Sequence, residues 1–414
     1  MSKIPHDIIN DILLQLPVKA LLRFRCLSRP LCSIIDGPKF INHHLAHSLH
    51  TRSHLSLILR DWNIYTLDFD SLDAAAAASV VASAESLDHP LHVGGGTEIV
   101  GSCNGLVALR NSERDLALYN PSTRKLKRVP VSEIYPPDRF LKTGYVFYGF
   151  GYDSINEDYK LVRMVTFVGD DDRCETFDHD YEVKIYSLKR DSWKKIKGLP
   201  YYLRFLHKPF YQVLHRRGYG VFASNALHWA LPHWPELGVK NSIIAFDIVA
   251  EMFHQVPQPD YHKDQLNFQV DVEVLDGTLC LMCNYEHVYV DLWVMREYGV
   301  KESWIKLFSF RATKSISSFM FLRPLAYSKD GDKMLLEVND QKLVWYDLNR
   351  KTVRTVKIRG GPKSFGAEMY VGSLVPLGNG NEEEEKKQAL EMEKRKTNTQ
   401  KMNDFLSVGF KLKL

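Results

Sequence analysis

A chain of 414 residues, 45% hydrophobic and 25% charged, is long enough for two or three ordinary domains, or for one large all-β domain with a small companion. Its formal net charge of +4 is too small to imply a nucleic-acid or membrane field, and no apolar run reaches the roughly 18 residues of a membrane span. Six cysteines without a framework of spacings, and an N-terminus charged early and broken by Pro5, speak against a secreted fold, so cytoplasm and nucleus are the expected location.

The chain opens with IPHDIINDILLQLPVKALLRFRCLSRPLCSIIDGPKFINHHL, residues 4–45. Ile4, Ile8, Ile9, Ile12, Leu13 and Leu16 recur at three- and four-residue steps, which predicts one apolar stripe on a first helix. Pro17 ends that helix and opens a second over residues 18–26, because proline lacks the N–H of a helix interior but suits a first turn. A third short helix follows Pro30, carries Leu31, Ile34 and Ile35, and stops at Asp36-Gly37-Pro38. Three helices of this size cannot bury so many aliphatics among themselves, so part of the surface is expected to meet a partner. His43, His44, His47 and His50 include an i,i+4 pair but lack the following glutamate of a zinc protease, and are expected on the surface.

From Leu55 onward, short alternating apolar runs separated by Gly, Asn, Asp and Pro predict consecutive antiparallel strands. The alanine-rich stretch 74–84 is expected to be a flexible insertion. An aromatic residue followed seven residues later by a large apolar one recurs as Tyr65/Leu72, Tyr119/Leu126, Tyr186/Trp193, Phe246/Phe253 and Tyr346/Val353. A sixth copy, Trp293/Trp304, has a longer turn. With hairpin tips at Asn104-Gly105, Asn225-Ala226, Asp276-Gly277 and Asp330-Gly331, each repeat supplies about four strands, the content of a propeller blade. Six blades are expected, the first completed by the late strand 367–376.

Two excursions are candidates for recognition. One is acidic, residues 169–180. The other is aromatic and basic, with Tyr201, Tyr202, Phe205, Phe210, Tyr211, Arg216 and Arg217, a composition enriched at binding hot spots. A charged tail, residues 378–414, carries Glu382 to Glu385 followed by Lys386-Lys387. Cys280 and Cys283 have metal-ligand spacing, but within a strand an offset of three points them to opposite faces, so buried thiols are expected. No phosphate loop or nucleophile elbow occurs, and neither a cofactor nor a metal is expected.

Ile4-Pro5, Asp7-Ile8-Ile9, Ile12-Leu13, Leu16-Pro17, Leu21 to Cys26, Ser28-Arg29, Ile34-Ile35 and Pro38-Lys39-Phe40 resemble the F-box family pattern. Ile4 stands for the usual Leu, and Leu31 stands where Trp is common. The second half resembles the F-box-associated, kelch-like domain of plant F-box proteins, although Gly94-Gly95-Gly96 occurs once and not per repeat. Segments such as 144–149, 216–221, 275–285, 342–345 and 404–412 are similar to one subgroup, the constitutive expresser of pathogenesis-related genes F-box proteins.

The resemblance implies a small all-α F-box of three short helices (1–45), a large all-β, six-bladed propeller-like domain (46–377) and a charged tail (378–414). It implies that Ile4, Pro5, Ile8, Ile12, Leu13, Leu16, Pro17, Leu21 and Leu22 dock a Skp1-type adaptor and, through it, a cullin. The propeller would then hold a protein substrate for ubiquitination without a catalytic residue of its own. For the subgroup, the implied targets are nucleotide-binding leucine-rich-repeat immune receptors. A propeller hydrolase and a ligase-independent kelch-like scaffold are the alternatives.

Overall fold

The computed structural model describes residues 5–77, 81–87, 89, 91, 96–137, 141–169, 180–198, 200, 219–231, 242–261, 268–311, 316 and 320–378. The chain divides into two units, Met1–Val375 and Pro376–Leu414, and the helices and sheets described below belong to the first.

Four helices open it: α1 (His6–Leu14), α2 (Val18–Phe24), α3 (Arg29–Ile35) and α4 (Pro38–Thr51). Pro17 precedes α2 and its carbonyl accepts the amides of Ala20 and Leu21, so the residue that stops α1 also starts α2. Ser28 caps α3 by accepting the Leu31 amide at 3.4 Å. The fourth helix corrects the expectation of three. Pro38 sits in the first turn of α4, where its missing N–H costs nothing, and Gly37 is the N-cap. A core of Leu13, Leu21, Ile35 and Phe40 joins the four helices, with Ile9, Leu14, Leu16, Leu31 and Ile34 packed around it.

The remainder is a β-propeller. Four separate sheets have four strands each, and an eight-stranded sheet holds two further four-strand meanders, residues 141–195 and 219–256. The expectation of six blades therefore corresponds to six meanders only when the eight-stranded sheet is divided at its one parallel pairing. That pairing is two residues long, Tyr148 with Tyr219 and Gly149 with Gly220. It needs glycine on both sides: a Cβ on Gly220 would lie 2.5 Å from the Trp229 ring, and one on Gly149 would lie 2.8 Å from Leu227.

The first strand of each meander lines a central channel of about 450 Å³. In the sheet that closes the ring, this inner strand is the late one, Gly366–Val371. It pairs antiparallel with Leu55–Arg60 in a register running from Leu55 opposite Val371 to Arg60 opposite Gly366. Both ends of the domain thus share one sheet, and the edge that each would expose alone is covered by the other.

The seven-residue repeat proves to be a cross-strand pair with its own turn. Tyr119 faces Leu126, Tyr186 faces Trp193, Phe246 faces Phe253 and Tyr346 faces Val353. In three of these the next residue, Asn120, Asp247 or Asp347, accepts the amides two and three positions on with its side chain, and Ser187 accepts one. A left-handed residue then closes each turn: Arg124, Asp191, Glu251 and Lys351.

The other two copies lack this Asx or Ser and pair differently. Trp293 faces Lys306 and Trp304 faces Met295, in the stretch that follows a register shift between Leu292 and Trp293. Tyr65 faces Ser86, and Leu72 belongs to helix α5 (Phe69–Ala77), so part of the alanine-rich stretch is helical rather than a flexible insertion. Asp68 starts α5 by accepting the Ser71 amide at 3.0 Å, and Phe69 and Leu72 are buried against Leu57, Leu67 and Trp345. The tip expected at Asn225-Ala226 lies one residue earlier, at Ser224-Asn225, both with positive φ.

Candidate adaptor-docking surface and propeller mouths

Helix α1 carries two aliphatic stripes about 100° apart, where the spacing alone suggested one. Ile9 and Leu13 point into the four-helix core, and Leu13 is fully enclosed. Ile8 and Ile12, one residue earlier in each turn, are 50% and 52% exposed. Pro5 and Pro17 are exposed, Leu16 and Leu22 are half-buried, and Leu21 is completely buried. Ile4 lies outside the described residues. Of the nine residues expected to grip an adaptor, Leu13 and Leu21 are thus core residues with no accessible surface to offer. Phe24 (37% exposed) and Leu27 (68%) add apolar surface at the end of α2, which residue spacing did not single out. Arg25 pairs with Asp36 at 2.6 Å, tying the end of α2 to the end of α3.

Helix α4 fastens this bundle to the propeller. His44, expected at the surface, is fully buried: its Nε2 donates to the Leu16 carbonyl at 2.9 Å, holding the α1–α2 corner. Its ring stacks on His54, whose Nδ1 is 3.1 Å from Ser48 Oγ. Burial lowers the pKa of both imidazoles, which fixes them as neutral, hydrogen-bonding rings. The carbonyl of His54 accepts the Gly372 amide at 2.8 Å, and Leu374 packs against the helical core. Arg52, the left-handed C-cap of α4, donates to the Tyr327 carbonyl at 2.8 Å and pairs with Asp276 at 3.3 Å.

Those contacts decide which mouth of the channel is covered. Hairpin tips of an antiparallel meander alternate between the two ends of a blade. Asp276-Gly277, Tyr327 and Asn104-Gly105 all follow inner strands and lie at one end, where Leu49 and Arg52 also line the channel. The tips at 61–63, 113–114, 286–288 and 339–341 belong to the opposite mouth. There Arg110 pairs with Glu98 at 2.8 Å and with Glu113, and donates to Tyr219 Oη at 3.0 Å. Tyr148 donates to Glu113 beneath it.

Tyr201, Tyr202, Phe205, Phe210, Tyr211, Arg216 and Arg217 lie outside the described residues, as do 170–179 of the acidic excursion and 379–414 of the tail. Of the strands flanking the aromatic segment, one ends at Lys195 and the next begins at Tyr219, beside the Arg110 cluster.

Inside the channel wall, Arg323 is buried among Glu273 (3.2 Å), Glu337 (3.2 Å) and Glu368 (2.7 Å). Burial opposes its charge, and the three carboxylates more than offset that, so the guanidinium stays ionised. These carboxylates serve as counter-ions that tie three inner strands together, rather than as the acid and base a propeller hydrolase requires. Cys280 and Cys283 are free, buried and in different core clusters, as the strand parity predicts. Burial raises both thiol pKa values, which keeps them protonated. Among the described residues, no group of three or more His, Cys, Asp or Glu could hold a metal ion.

Residues 1–43 match the F-box domain model, and residues 55–376 match the F-box associated beta propeller domain model. The chain is 47% identical to the F-box protein CPR1 of Arabidopsis thaliana, with all of both chains covered. It is 38% identical to the Arabidopsis F-box protein At4g22390, again over all of both chains. It is 27% identical to the F-box/kelch-repeat protein At3g23880 of that plant, over 81% of this chain and 85% of the relative. With both domain models matched in order and the first two of these relatives covered from end to end, the chain belongs to the F-box proteins with an associated β-propeller, noncatalytic receptor subunits of SCF ubiquitin ligases.

Proposed function

We propose that the α1–α3 surface binds a Skp1-type adaptor, and through it a cullin, while the uncovered propeller mouth presents a target for ubiquitination. The observation that carries this reading is the outward stripe of Ile8 and Ile12, flanked by Pro5 and Pro17, on a module whose own core is already complete without them. Moving two half-exposed isoleucines out of water is worth about 1 kcal/mol each, enough to anchor one edge of an interface of ordinary size. Rate enhancement then comes from holding the target beside the ubiquitin-carrying enzyme.

Leu16→Asp would be an ambiguous test, because Leu16 also packs on the helical core and its carbonyl holds His44. Ile12→Asp places the charge outside that core. The expected outcome is loss of co-purifying adaptor, by about tenfold or more, with an unchanged circular dichroism spectrum and melting temperature. Undiminished adaptor recovery would overturn the assignment of this surface.

The finer reading is that the targets are nucleotide-binding leucine-rich-repeat immune receptors, met in the cytoplasm and nucleus, whose removal restrains plant defence. It is supported by full-length identity with CPR1 and by the resemblance of segments 144–149, 275–285 and 342–345 to that subgroup. Co-expression with such a receptor should lower its abundance in a proteasome-dependent way. The Ile12→Asp chain should leave it untouched.

A further inference from the structure

One connection between blades, residues 129–137, crosses from the outer strand Lys125–Arg128 toward the inner strand Leu141–Asp153. Because hairpin tips alternate between the two ends of a meander, this crossover lies at the same end as the tip at 113–114, the mouth away from the F-box. Residues 130–137 form no strand or helix, and Tyr135 stands 74% exposed. Side chains of the following blade hold the segment instead. Trp193 Nε1 donates to the Pro130 carbonyl at 2.7 Å, Arg163 Nη1 to the Ser132 carbonyl at 2.5 Å and Lys184 Nζ to the Glu133 carbonyl at 3.4 Å. Ser132 is half-buried, and its hydroxyl accepts from two cations, Arg163 Nη2 at 3.3 Å and Lys184 Nζ at 3.1 Å.

For a neutral hydroxyl this is an excess of positive charge. Arg163, Lys184 and Lys195 share one carboxylate, Glu182, at 3.6, 3.2 and 3.3 Å. The neighbouring acids are engaged elsewhere: Glu133 with Arg114 at 3.0 Å, and Glu113 with Arg110 and Tyr148. Three cations against one carboxylate leave two positive charges beside Ser132. Arg163 is 1% exposed, cannot shed its proton, and its Nε has no hydrogen-bond acceptor among the described residues. The Trp193 ring lies 5.2 Å from it, which adds attraction but no acceptor oxygen. A buried guanidinium needs charged acceptors to offset its lost hydration, and a serine hydroxyl supplies only a dipole. A phosphate ester on that hydroxyl would supply about two negative charges and three acceptor oxygens at the place where both are lacking.

We propose that Ser132 is a phosphorylation site whose phosphate is received by Arg163, Lys184 and Lys195. In the transfer, Ser132 Oγ bonds to the γ-phosphorus of a nucleoside triphosphate held by a protein kinase. The bond from that phosphorus to the β-phosphate oxygen breaks, the nucleoside diphosphate departs, and the hydroxyl proton passes to a base of the kinase. Residues 130–137 are outside any β ladder, so they can be drawn into the extended form a kinase grips. Once in place, the phosphate ties the crossover to the next blade and fixes Tyr135 at the open mouth. The assignment does not depend on the receptor reading.

The test has two arms. Protein isolated with its adaptor from plant tissue, under phosphatase inhibitors, should yield the tryptic peptide 129–139 with phosphate on Ser132. A peptide found only unmodified, or modified at Tyr135 instead, would overturn the proposal. In the second arm the full chain is produced with phosphoserine encoded at position 132 and titrated by phosphorus NMR. Its phosphate should titrate about one pH unit below that of the same phosphopeptide free in solution, and Lys184→Met with Lys195→Met should remove most of the difference. Should that pair of changes abolish cooperative melting, Lys195→Met alone, at a side chain 60% exposed, should still remove part of it. A midpoint equal to the free peptide's, or one indifferent to these lysines, would overturn the proposal. Saturable binding of inorganic phosphate by the unmodified chain, lost in the same lysine variants, would assign the pocket to a free anion and overturn it equally.

Discussion

His228 is fully buried in an inner-blade hairpin, with Nδ1 3.3 Å from the Val221 carbonyl and Nε2 2.8 Å from Tyr298 Oη. Nδ1 therefore carries the proton, and Nε2 accepts from the tyrosine. Burial, helped by nearby His254, pushes its pKa from 6.5 down to about 4. Between those two values the unfolded chain binds a proton that the folded chain refuses. Stability is accordingly complete above pH 6.5 and falls as the pH drops toward 4, by roughly 3 kcal/mol at the lower end. His44 and His54, lowered for the same reason, add to the slope in the same direction. Melting temperatures measured across this range should decline on acidification, and His228→Gln should flatten the decline. An identical slope in the variant would remove His228 from the account. At this same scale the sequence conceals what burial decides. Ile8 and Ile9, or Ile12 and Leu13, are adjacent hydrophobes of equal character. The packing of α1 on the other three helices, through Leu21, Ile35 and Phe40, determines which of each pair is sealed and which is left for a partner.

The blade hairpins are the elements most legible in the sequence, and the reason is local. An aromatic, an Asx that accepts the amides two and three positions on (or a Ser that accepts one), a left-handed residue and a return partner at the seventh position form one self-contained turn, as in Tyr346, Asp347, Lys351 and Val353. Where the capping side chain is missing, after Tyr65 and Trp293, spacing misleads about the partner. Helix α4 is hidden by a proline that serves equally as a stop and a start. The closing strand Gly366–Val371 is legible as a strand, but its partner lies across almost the whole domain. It has one strong consequence: a chain cut after residue 365 leaves Leu55–Arg60 without its inner neighbour and Arg323 without Glu368 and the Ala367 carbonyl. Loss of cooperative thermal unfolding is expected for that truncation, whereas a chain ending at 378 should melt as the intact one does. Calorimetry distinguishes the two, and a sharp transition in the shorter chain would show that the ring does not depend on this strand.

For the whole molecule, the joint between F-box and propeller matters more than either part. A receptor works by delivering its target to a fixed place, and here a short cluster, His44, Ser48, Arg52, His54 and Gly372, sets the geometry. Arg52 is its partly exposed cation, bridging α4 to Tyr327 and Asp276. Arg52→Ala should lower global stability by no more than about 1–2 kcal/mol, yet speed hydrogen exchange at the Ser53 and Gly372 amides and leave adaptor affinity alone. Unchanged exchange there would mean that the ring stack and backbone bonds suffice. This joint was not legible in the sequence, since the contacts that reach the propeller, from Arg52 to Tyr327 and Asp276 and from His54 to Gly372, join residues hundreds of positions apart and no spacing rule connects them.

The pairing of Leu55–Arg60 with Gly366–Val371 also sets a timetable for biosynthesis. At about 5–20 residues per second, the ribosome needs roughly 15–60 s to make the intervening stretch of about 300 residues. Throughout that interval the nascent F-box can fold and be met by its adaptor, while LSLILR, residues 55–60, waits with a bare, aliphatic flank. A newborn receptor is thus able to join its ligase before it is able to hold a client, and the waiting strand is the natural place for a chaperone to bind.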